Sequence, residues 1–177
     1  MEISQQCRDE NGYLIRQHLM KDIPYGRRTV ARAGCGFMAV YNAARCFALP
    51  VTESEVWRYF HQGVFLGGVM GTTIFHVCRG LRHFGMQVTG LRYRDLKGAQ
   101  AGILWYHTGR SRHYVLVRRC PDGRYAFPNS SAPGPMTFPE FYGKYVKHLR
   151  LPPLLDLPIM FTVTAARRDK TAADGTE

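Results

Sequence analysis

The stretch that decides the fold is GCGFMAVYNAARCFAL, residues 34–49. Its apolar residues recur at helical spacing up to Pro50, which predicts a buried helix over 35–49 with Cys35 in its first turn. A helix N-terminus favours a thiolate, because the main-chain N–H groups there carry partial positive charge. Cys35 is therefore the first candidate for a reactive residue.

Two later positions complete a pattern with Cys35. His113 begins an apolar strand directly after a polar turn, and Asn129 follows the next strand. A cysteine nucleophile, a histidine base and an asparagine that orients the base form a known catalytic set, in this chain order. His107, which ends the preceding strand, is the alternative base. Each member also has a structural reading, as a small buried cysteine, a strand histidine or a turn asparagine.

The charge of the chain is strongly basic, at +11. Arg28 and Arg32 stand just before Cys35, and Arg110 and Arg112 stand just before His113. This distribution predicts a groove that binds an anionic or carboxylate-bearing substrate through these four arginines. A basic solvated surface is the alternative. Nucleic acid is a weaker interpretation of the charge, because no recognisable nucleic-acid motif accompanies it.

Composition indicates a single globular domain. Hydrophobic residues make up 45% of the chain and charged residues 21%. We expect one domain over 1–166, followed by a disordered polar tail over 167–177. No segment reaches the about 18 uninterrupted apolar residues that a membrane-spanning helix needs. The N-terminus lacks the features of a secretory signal, so we expect a cytoplasmic protein.

The sequence gives no indication of a metal or cofactor site. The cysteines at positions 7, 35, 46, 78 and 120 show no CxxC spacing. His76 and His83 lie on a predicted helix without matched ligand partners. The glycine-rich loop over 63–71 lacks the ending of a phosphate-binding loop. We therefore expect mostly reduced and buried cysteines, including Cys46 and Cys78, with no metal and no cofactor.

The periodicity changes from helical to extended at Gly85. Before it, one helix begins at Thr52 and another at Thr72 or Thr73, each with a capping side chain. After it, a short helix is capped by Thr137 and precedes the last strand. The strands are expected at 87–92, 103–108, 113–120, 124–127 and 159–164. Tight turns join the middle three strands into an antiparallel meander.

Short motifs, taken in their order, resemble those of a known family. They are GCGFMAVYN at 34–42, GTTIFHVCRGLRHFGM at 71–86, HYVLV at 113–117, FPNSS at 127–131 and TFPEF at 137–141. Together they resemble the bacteriocin-processing, double-glycine leader peptidases and their stand-alone relatives among the papain-like cysteine peptidases. The resemblance implies an α+β papain-like fold, in which an N-terminal helical part carrying Cys35 packs on an antiparallel sheet carrying His113 and Asn129.

The same resemblance implies a function. Cys35 matches the family's nucleophile, His113 its general base, and Asn129 the position of the Asp or Asn that orients the base. We therefore expect a thiol-dependent hydrolase, a cysteine peptidase that cleaves a peptide such as a leader peptide. An acyltransferase with a peptide or acyl substrate would use the same three residues and stays open as an alternative. The oligomeric state is not indicated.

The sequence departs from the family just before the cysteine. The family has a Gln a few residues ahead of its Cys, whose amide helps to hold the oxyanion, but residues 25–34 here contain neither Gln nor Asn. Gln17, Arg28, Thr29 and Arg32 are candidate replacements. Loss of such a donor costs about 10² to 10³ in rate. A catalytically degenerate peptide-binding module is therefore a further alternative.

Overall fold

The computed structural model of this chain describes residues 1–63, 71–89, 96, 98–148 and 158–166. Most of the predicted glycine-rich loop, the predicted strand residues 90–92 and the predicted disordered tail over 167–177 lie outside the described residues. The helices are α1 (Val30–Ala33), α2 (Cys35–Cys46), α3 (Glu53–Gln62), α4 (Ile74–His83) and α5 (Phe138–Tyr145). The strands are β1 (Pro24–Tyr25), β2 (Arg28–Thr29), β3 (Met86–Thr89), β4 (Ala101–His107), β5 (Arg112–Arg119), β6 (Tyr125–Ala126) and β7 (Ile159–Ala165).

Among the described residues, five strands form one antiparallel sheet in the order β3-β7-β4-β5-β6. The predicted meander of β4, β5 and β6 is confirmed. Strand β7, the last in sequence, lies between β3 and β4, so that Val163 pairs with both Val88 and Ala101. The hairpin of β1 and β2 was not predicted, because strands of two residues show no periodicity. The mixture of helices with an antiparallel sheet confirms the α+β class.

The sheet separates two apolar clusters, as the alternation along β5 shows. Tyr114 and Leu116 belong to the larger cluster, with the apolar residues of α2. Val115 and Val117 belong to the smaller cluster, with Phe141 of α5. Successive side chains of a strand point to opposite faces of its sheet. Helix α2 therefore packs on one face and α5 on the other, which confirms that the N-terminal helical part packs on the sheet.

A buried asparagine attaches the N-terminal segment to α2. Asn42 is fully buried, and its side chain makes a pair of hydrogen bonds with the main chain of Leu14. The Leu14 N–H donates to Oδ1 at 2.8 Å, and Nδ2 donates to the Leu14 carbonyl at 2.9 Å. Because a buried amide is costly without partners, this pair of bonds favours one position of the N-terminal segment on the helix.

Helix caps follow the sequence signals closely. Thr52 with Glu55, and Thr137 with Glu140, form the two predicted capping boxes, in which each side chain pairs with the other residue's main chain. Thr73, rather than Thr72, caps α4. These signals are local, which is why they could be predicted.

Helix α2 is shorter than predicted. It ends at Cys46, and Ala48 has a φ of 51°, a left-handed conformation that stops the helix before Pro50. Cys46 and Cys78, predicted as core residues, are half-buried and pack against the larger cluster. Among the described residues, no helix is long and apolar enough to cross a membrane.

Gly36 allows a close approach between α2 and Thr72. A Cβ at Gly36 would lie 2.7 Å from the Thr72 Cβ. The Thr72 hydroxyl is in turn held by a 2.6 Å hydrogen bond with the Tyr25 hydroxyl. Since both Thr72 and Tyr25 are buried, neither has free space into which to move.

We expect Gly36→Ala to lower the free energy of unfolding by about 1 to 3 kcal/mol, because the added methyl overpacks this contact. The control is Gly143→Ala on the exposed side of α5, where an added Cβ would meet no described atom within 4 Å beyond its chain neighbours and the nearby backbone of its own helix. That variant should raise the free energy of unfolding by about 0.5 to 1 kcal/mol, because alanine favours a helix over glycine. Denaturant unfolding measures both. Equal changes in the free energy of unfolding for Gly36→Ala and Gly143→Ala would contradict the close approach between α2 and Thr72.

Candidate active site

Cys35 is the first residue of α2 and follows Gly34 directly. A Cβ at Gly34 would lie 2.6 Å from Val30 Cγ1 and 2.8 Å from the Val30 carbonyl oxygen, so a glycine is required there. Helix α1 therefore runs almost directly into α2, and the junction places the thiol at the helix N-terminus. The main-chain N–H groups of Gly36 and Tyr114 favour the charged thiolate and so contribute to a lowered pKa of Cys35.

His113 lies near the beginning of β5, opposite Tyr106 of β4. Its imidazole interacts with the Cys35 thiol, which lowers the pKa of the thiol and raises the pKa of the imidazole, and it packs edge-on against the Tyr106 ring with centroids 5.9 Å apart. His113 Nε2 is 2.6 Å from the carbonyl oxygen of Asn129. A carbonyl accepts and never donates, so Nε2 carries a hydrogen. In the neutral ring, Nδ1 is therefore the basic nitrogen available to Cys35.

Asn129 contacts His113 through its main chain. Its φ is 65°, a left-handed conformation that asparagine adopts more readily than most residues. The carbonyl accepts from His113, while the side-chain Nδ2 donates to Gln17 Oε1 at 3.1 Å. The sequence predicted the residue. It could not indicate that the backbone supplies the acceptor, because every residue type carries a carbonyl.

The electrostatics of the Cys35–His113 pair are set by two opposing effects. Burial disfavours charge, which raises the pKa of the thiol and lowers the pKa of the imidazole. The hydrogen bond and charge attraction between them outweigh burial, so the pKa of Cys35 lies below its usual value and the pKa of His113 lies above. The Asn129 carbonyl contributes to the raised pKa of His113. Both shifts favour a thiolate–imidazolium pair.

Gln17 reaches this site from the N-terminal segment. Its Nε2 donates to the carbonyl oxygens of Val30 at 2.9 Å and Ala31 at 3.4 Å, and its Oε1 accepts from Asn129. Sequence reasoning named Gln17 as a candidate oxyanion donor. The structure places its amide in contact with α1 and Asn129 instead.

The four arginines predicted to bind substrate fall into two groups. Arg28 and Arg32 line an open cavity of about 700 Å³. Arg110 lies in the exposed turn between β4 and β5, and the Arg112 guanidinium lies 4.5 Å from the centroid of the Trp105 ring. Neither Arg110 nor Arg112 is among the described residues that line the cavity. Its other lining residues are His18, Lys21, Thr29 and Ala31.

The remaining histidines named above have structural partners. His107, the alternative base, accepts the Gly109 N–H at 2.9 Å through Nδ1 and so stabilises the turn after β4. His76 and His83 both pack against the Tyr59 ring. In the part of the chain that the structure describes, no group of three or more His, Cys, Asp or Glu side chains could hold a metal ion.

Comparison with known proteins gives a weak structural similarity. No protein-family model and no curated protein matches the sequence. A similar solved structure is a crystal structure of a double glycine motif protease from an AMS/PCAT transporter in complex with the leader peptide. It is 18% identical, with a TM-score of 0.47, over 73% of this chain and 84% of that chain.

We expect limiting iodoacetamide to alkylate Cys35 before Cys7, Cys46 and Cys78. Burial raises the pKa of those three thiols, whereas the pKa of Cys35 is lowered. Because the thiolate is the reacting species, the preference for Cys35 should grow as the pH falls from about 8 to about 6. Peptide mapping by mass spectrometry measures the rate at each cysteine. Equal rates in the folded protein would contradict an activated Cys35.

The matched variants are His113→Ala and His107→Ala. Removing His113 leaves burial to raise the pKa of Cys35, so alkylation of Cys35 should slow, most strongly at the lower pH. Removing His107 should leave that rate unchanged, because its ring nitrogen serves the turn. The reverse result would assign the base to His107.

Proposed function

We propose that the protein is a thiol-dependent peptide hydrolase with a papain-like arrangement, in which Cys35 is the nucleophile, His113 the general base and Asn129 the residue that orients His113. The observation that carries the proposal is the 2.6 Å hydrogen bond between His113 Nε2 and the Asn129 carbonyl, which leaves Nδ1 for Cys35 at the start of α2. The interaction between Cys35 and His113 lowers the pKa of the thiol and raises the pKa of the imidazole. A nucleophile in contact with a base that is itself held by a third group is the arrangement that nucleophilic catalysis requires.

In the proposed reaction, His113 Nδ1 accepts the thiol proton and the Cys35 sulfur bonds to the scissile carbonyl carbon. The carbonyl π electrons move to its oxygen, to which the Cys35 N–H at the start of α2 donates a hydrogen bond. The C–N bond then breaks, and the imidazolium protonates the leaving amine, which leaves a thioester. Water attacks the thioester while His113 accepts its proton, and the thiol is restored with release of the acid.

The substrate that fits the charge of this region is an acidic peptide. His18, Lys21, Arg28 and Arg32 surround one cavity, and the salt bridges within the described residues involve none of them. Hydrogen bonds link the cavity to the proposed catalytic residues, because Ala31 lines the cavity and accepts from Gln17, which in turn accepts from Asn129. The sequence resemblance makes a leader peptide that ends in small residues the first substrate to test.

A peptide-binding module without turnover is the second candidate function. Both side-chain amides next to the catalytic pair are engaged, since Gln17 donates to α1 and Asn129 donates to Gln17. The Gln17 Nε2 serves two carbonyl oxygens of α1, so this amide does not also serve an oxyanion in the described arrangement. If main-chain donors alone stabilise the oxyanion, turnover is slowed and binding becomes the main property of the site.

The test is incubation with a library of acidic peptides in water enriched in heavy oxygen. Hydrolysis predicts new peptide termini from the wild type, one heavy oxygen in each new carboxyl group, and none of these products from Cys35→Ala. Products joined to an added amine, without heavy oxygen, would assign acyl transfer. Peptides retained by both proteins with no new termini would contradict hydrolysis and support the binding module. Mass spectrometry distinguishes the three results.

Replacing Arg28 and Arg32 together by Gln should weaken binding of an acidic peptide to Cys35→Ala several-fold, most at low salt, where screening is weakest. Arg110→Gln with Arg112→Gln tests the second group in the same way. The control is Arg58→Gln with Arg82→Gln, which removes the same charge from exposed positions elsewhere. Equal losses in the Arg28/Arg32 and Arg58/Arg82 variants would show that net charge, rather than the cavity, sets the affinity.

A further inference from the structure

We propose that Gln17 is a positioning residue for His113 and acts through Asn129, an inference that rests on the proposed function of the Cys35–His113 pair. Gln17 Oε1 accepts from Asn129 Nδ2 at 3.1 Å, and its Nε2 donates to two carbonyl oxygens of α1 at 2.9 and 3.4 Å. One side chain therefore joins the loop that contacts the base to the helix that leads into the nucleophile.

The partners fix the direction of the Gln17 amide. The Val30 and Ala31 carbonyls can only accept, so the nitrogen of Gln17 faces α1 and its oxygen faces Asn129. Asn129 must then present its own nitrogen to Gln17, as the structure shows. The main-chain carbonyl of Asn129 is the acceptor that serves His113. The hydrogen bonds of Gln17, Asn129 and His113 are therefore mutually compatible, since each donor faces an acceptor.

The conformation of Asn129 explains why this contact matters. A non-glycine residue at a φ of 65° is held in a less favourable region of backbone space. The hydrogen bond from its side chain to Gln17 stabilises that conformation, and the conformation directs the carbonyl to His113. Without Gln17, the buried Nδ2 of Asn129 loses its partner, and the carbonyl is less firmly placed.

Gln17 is itself well placed by the segment around it. It begins a short 3-10 turn, and the chain that follows wraps α1: Met20 accepts the Ala31 N–H at 3.1 Å, and Ile23 accepts the Val30 N–H at 2.9 Å. Met20 is 2% exposed and so anchors this turn in the core. The amide of Gln17 is thereby held against α1 before any substrate binds.

The experiment compares the pH profile of Cys35 alkylation by iodoacetamide in the full chain and its variants. Gln17→Met keeps the length of the side chain but removes both of its hydrogen-bonding ends. We expect the profile to shift to higher pH, with a rate of Cys35 alkylation about five- to tenfold lower near pH 6. Gln100→Met is the control, because Gln100 also bonds one main-chain carbonyl, that of Cys46, away from the site. It should leave the profile unchanged.

Asn129→Gly provides a second, independent variant. Glycine keeps the carbonyl and adopts a positive φ freely, but it cannot reach Gln17. If the two residues act through their contact, Asn129→Gly and Gln17→Met should shift the profile in the same direction, and the double variant should shift it no further than the larger single effect. Additive shifts would overturn the inference.

The outcomes separate this inference from the proposed function. If His113→Ala shifts the Cys35 profile but Gln17→Met and Asn129→Gly do not, Gln17 has no positioning role and the catalytic pair stands. If His113→Ala itself leaves the profile unchanged, the proposed function fails first. Should Gln17→Met unfold, as circular dichroism would show, Asn129→Gly alone decides, and an unchanged profile in that variant overturns the inference.

Discussion

The contact between the Cys35 thiol and the His113 imidazole is the interaction on which the site depends, because it joins the helical part to the sheet at one point. Cys35 is placed by α2 and His113 by β5, and neither element can shift independently of the packed cluster between them. Gly34 and Gly36 flank the thiol at positions where a Cβ would collide with Val30 or Thr72. The two glycines of the GCG motif are therefore required by packing, on either side of the proposed nucleophile.

Burial makes the Cys35–His113 pair interdependent. In a low-dielectric setting each charge is costly alone and strongly attracted to the other, so the charged state of one residue stabilises that of its partner. The surroundings supply further neutral donors and acceptors. The N–H groups of Gly36 and Tyr114 favour the thiolate, and the Asn129 carbonyl favours the imidazolium. Because none of these three groups carries a charge, the thiolate is the main counter-charge of the imidazolium.

Local sequence signals predicted α2 to α5 and the caps of α3, α4 and α5, but not the four-residue α1. The order of Cys35, His113 and Asn129 predicted that these three residues would meet. The features that were missed are non-local or depend on the backbone. The position of β7 between β3 and β4 follows from pairing across the whole chain, which no periodicity reports. The end of α2 depends on the left-handed Ala48, and nothing in that residue type signals the conformation.

Because the acceptor for His113 is a main-chain carbonyl, the position of Asn129 has requirements that differ from those of a side-chain acceptor. A side-chain acceptor would restrict the residue type, whereas a carbonyl restricts the backbone: the residue must adopt a positive φ and stay in place. Asparagine adopts a positive φ more readily than most residues, and the hydrogen bond from Asn129 to Gln17 helps to keep the residue in place. Gln17 follows Leu14 closely in sequence, and Leu14 is bound by the buried Asn42 of α2. The helix that carries Cys35 thus also holds the segment that contacts the loop beside His113, so one buried amide links the two parts of the proposed site.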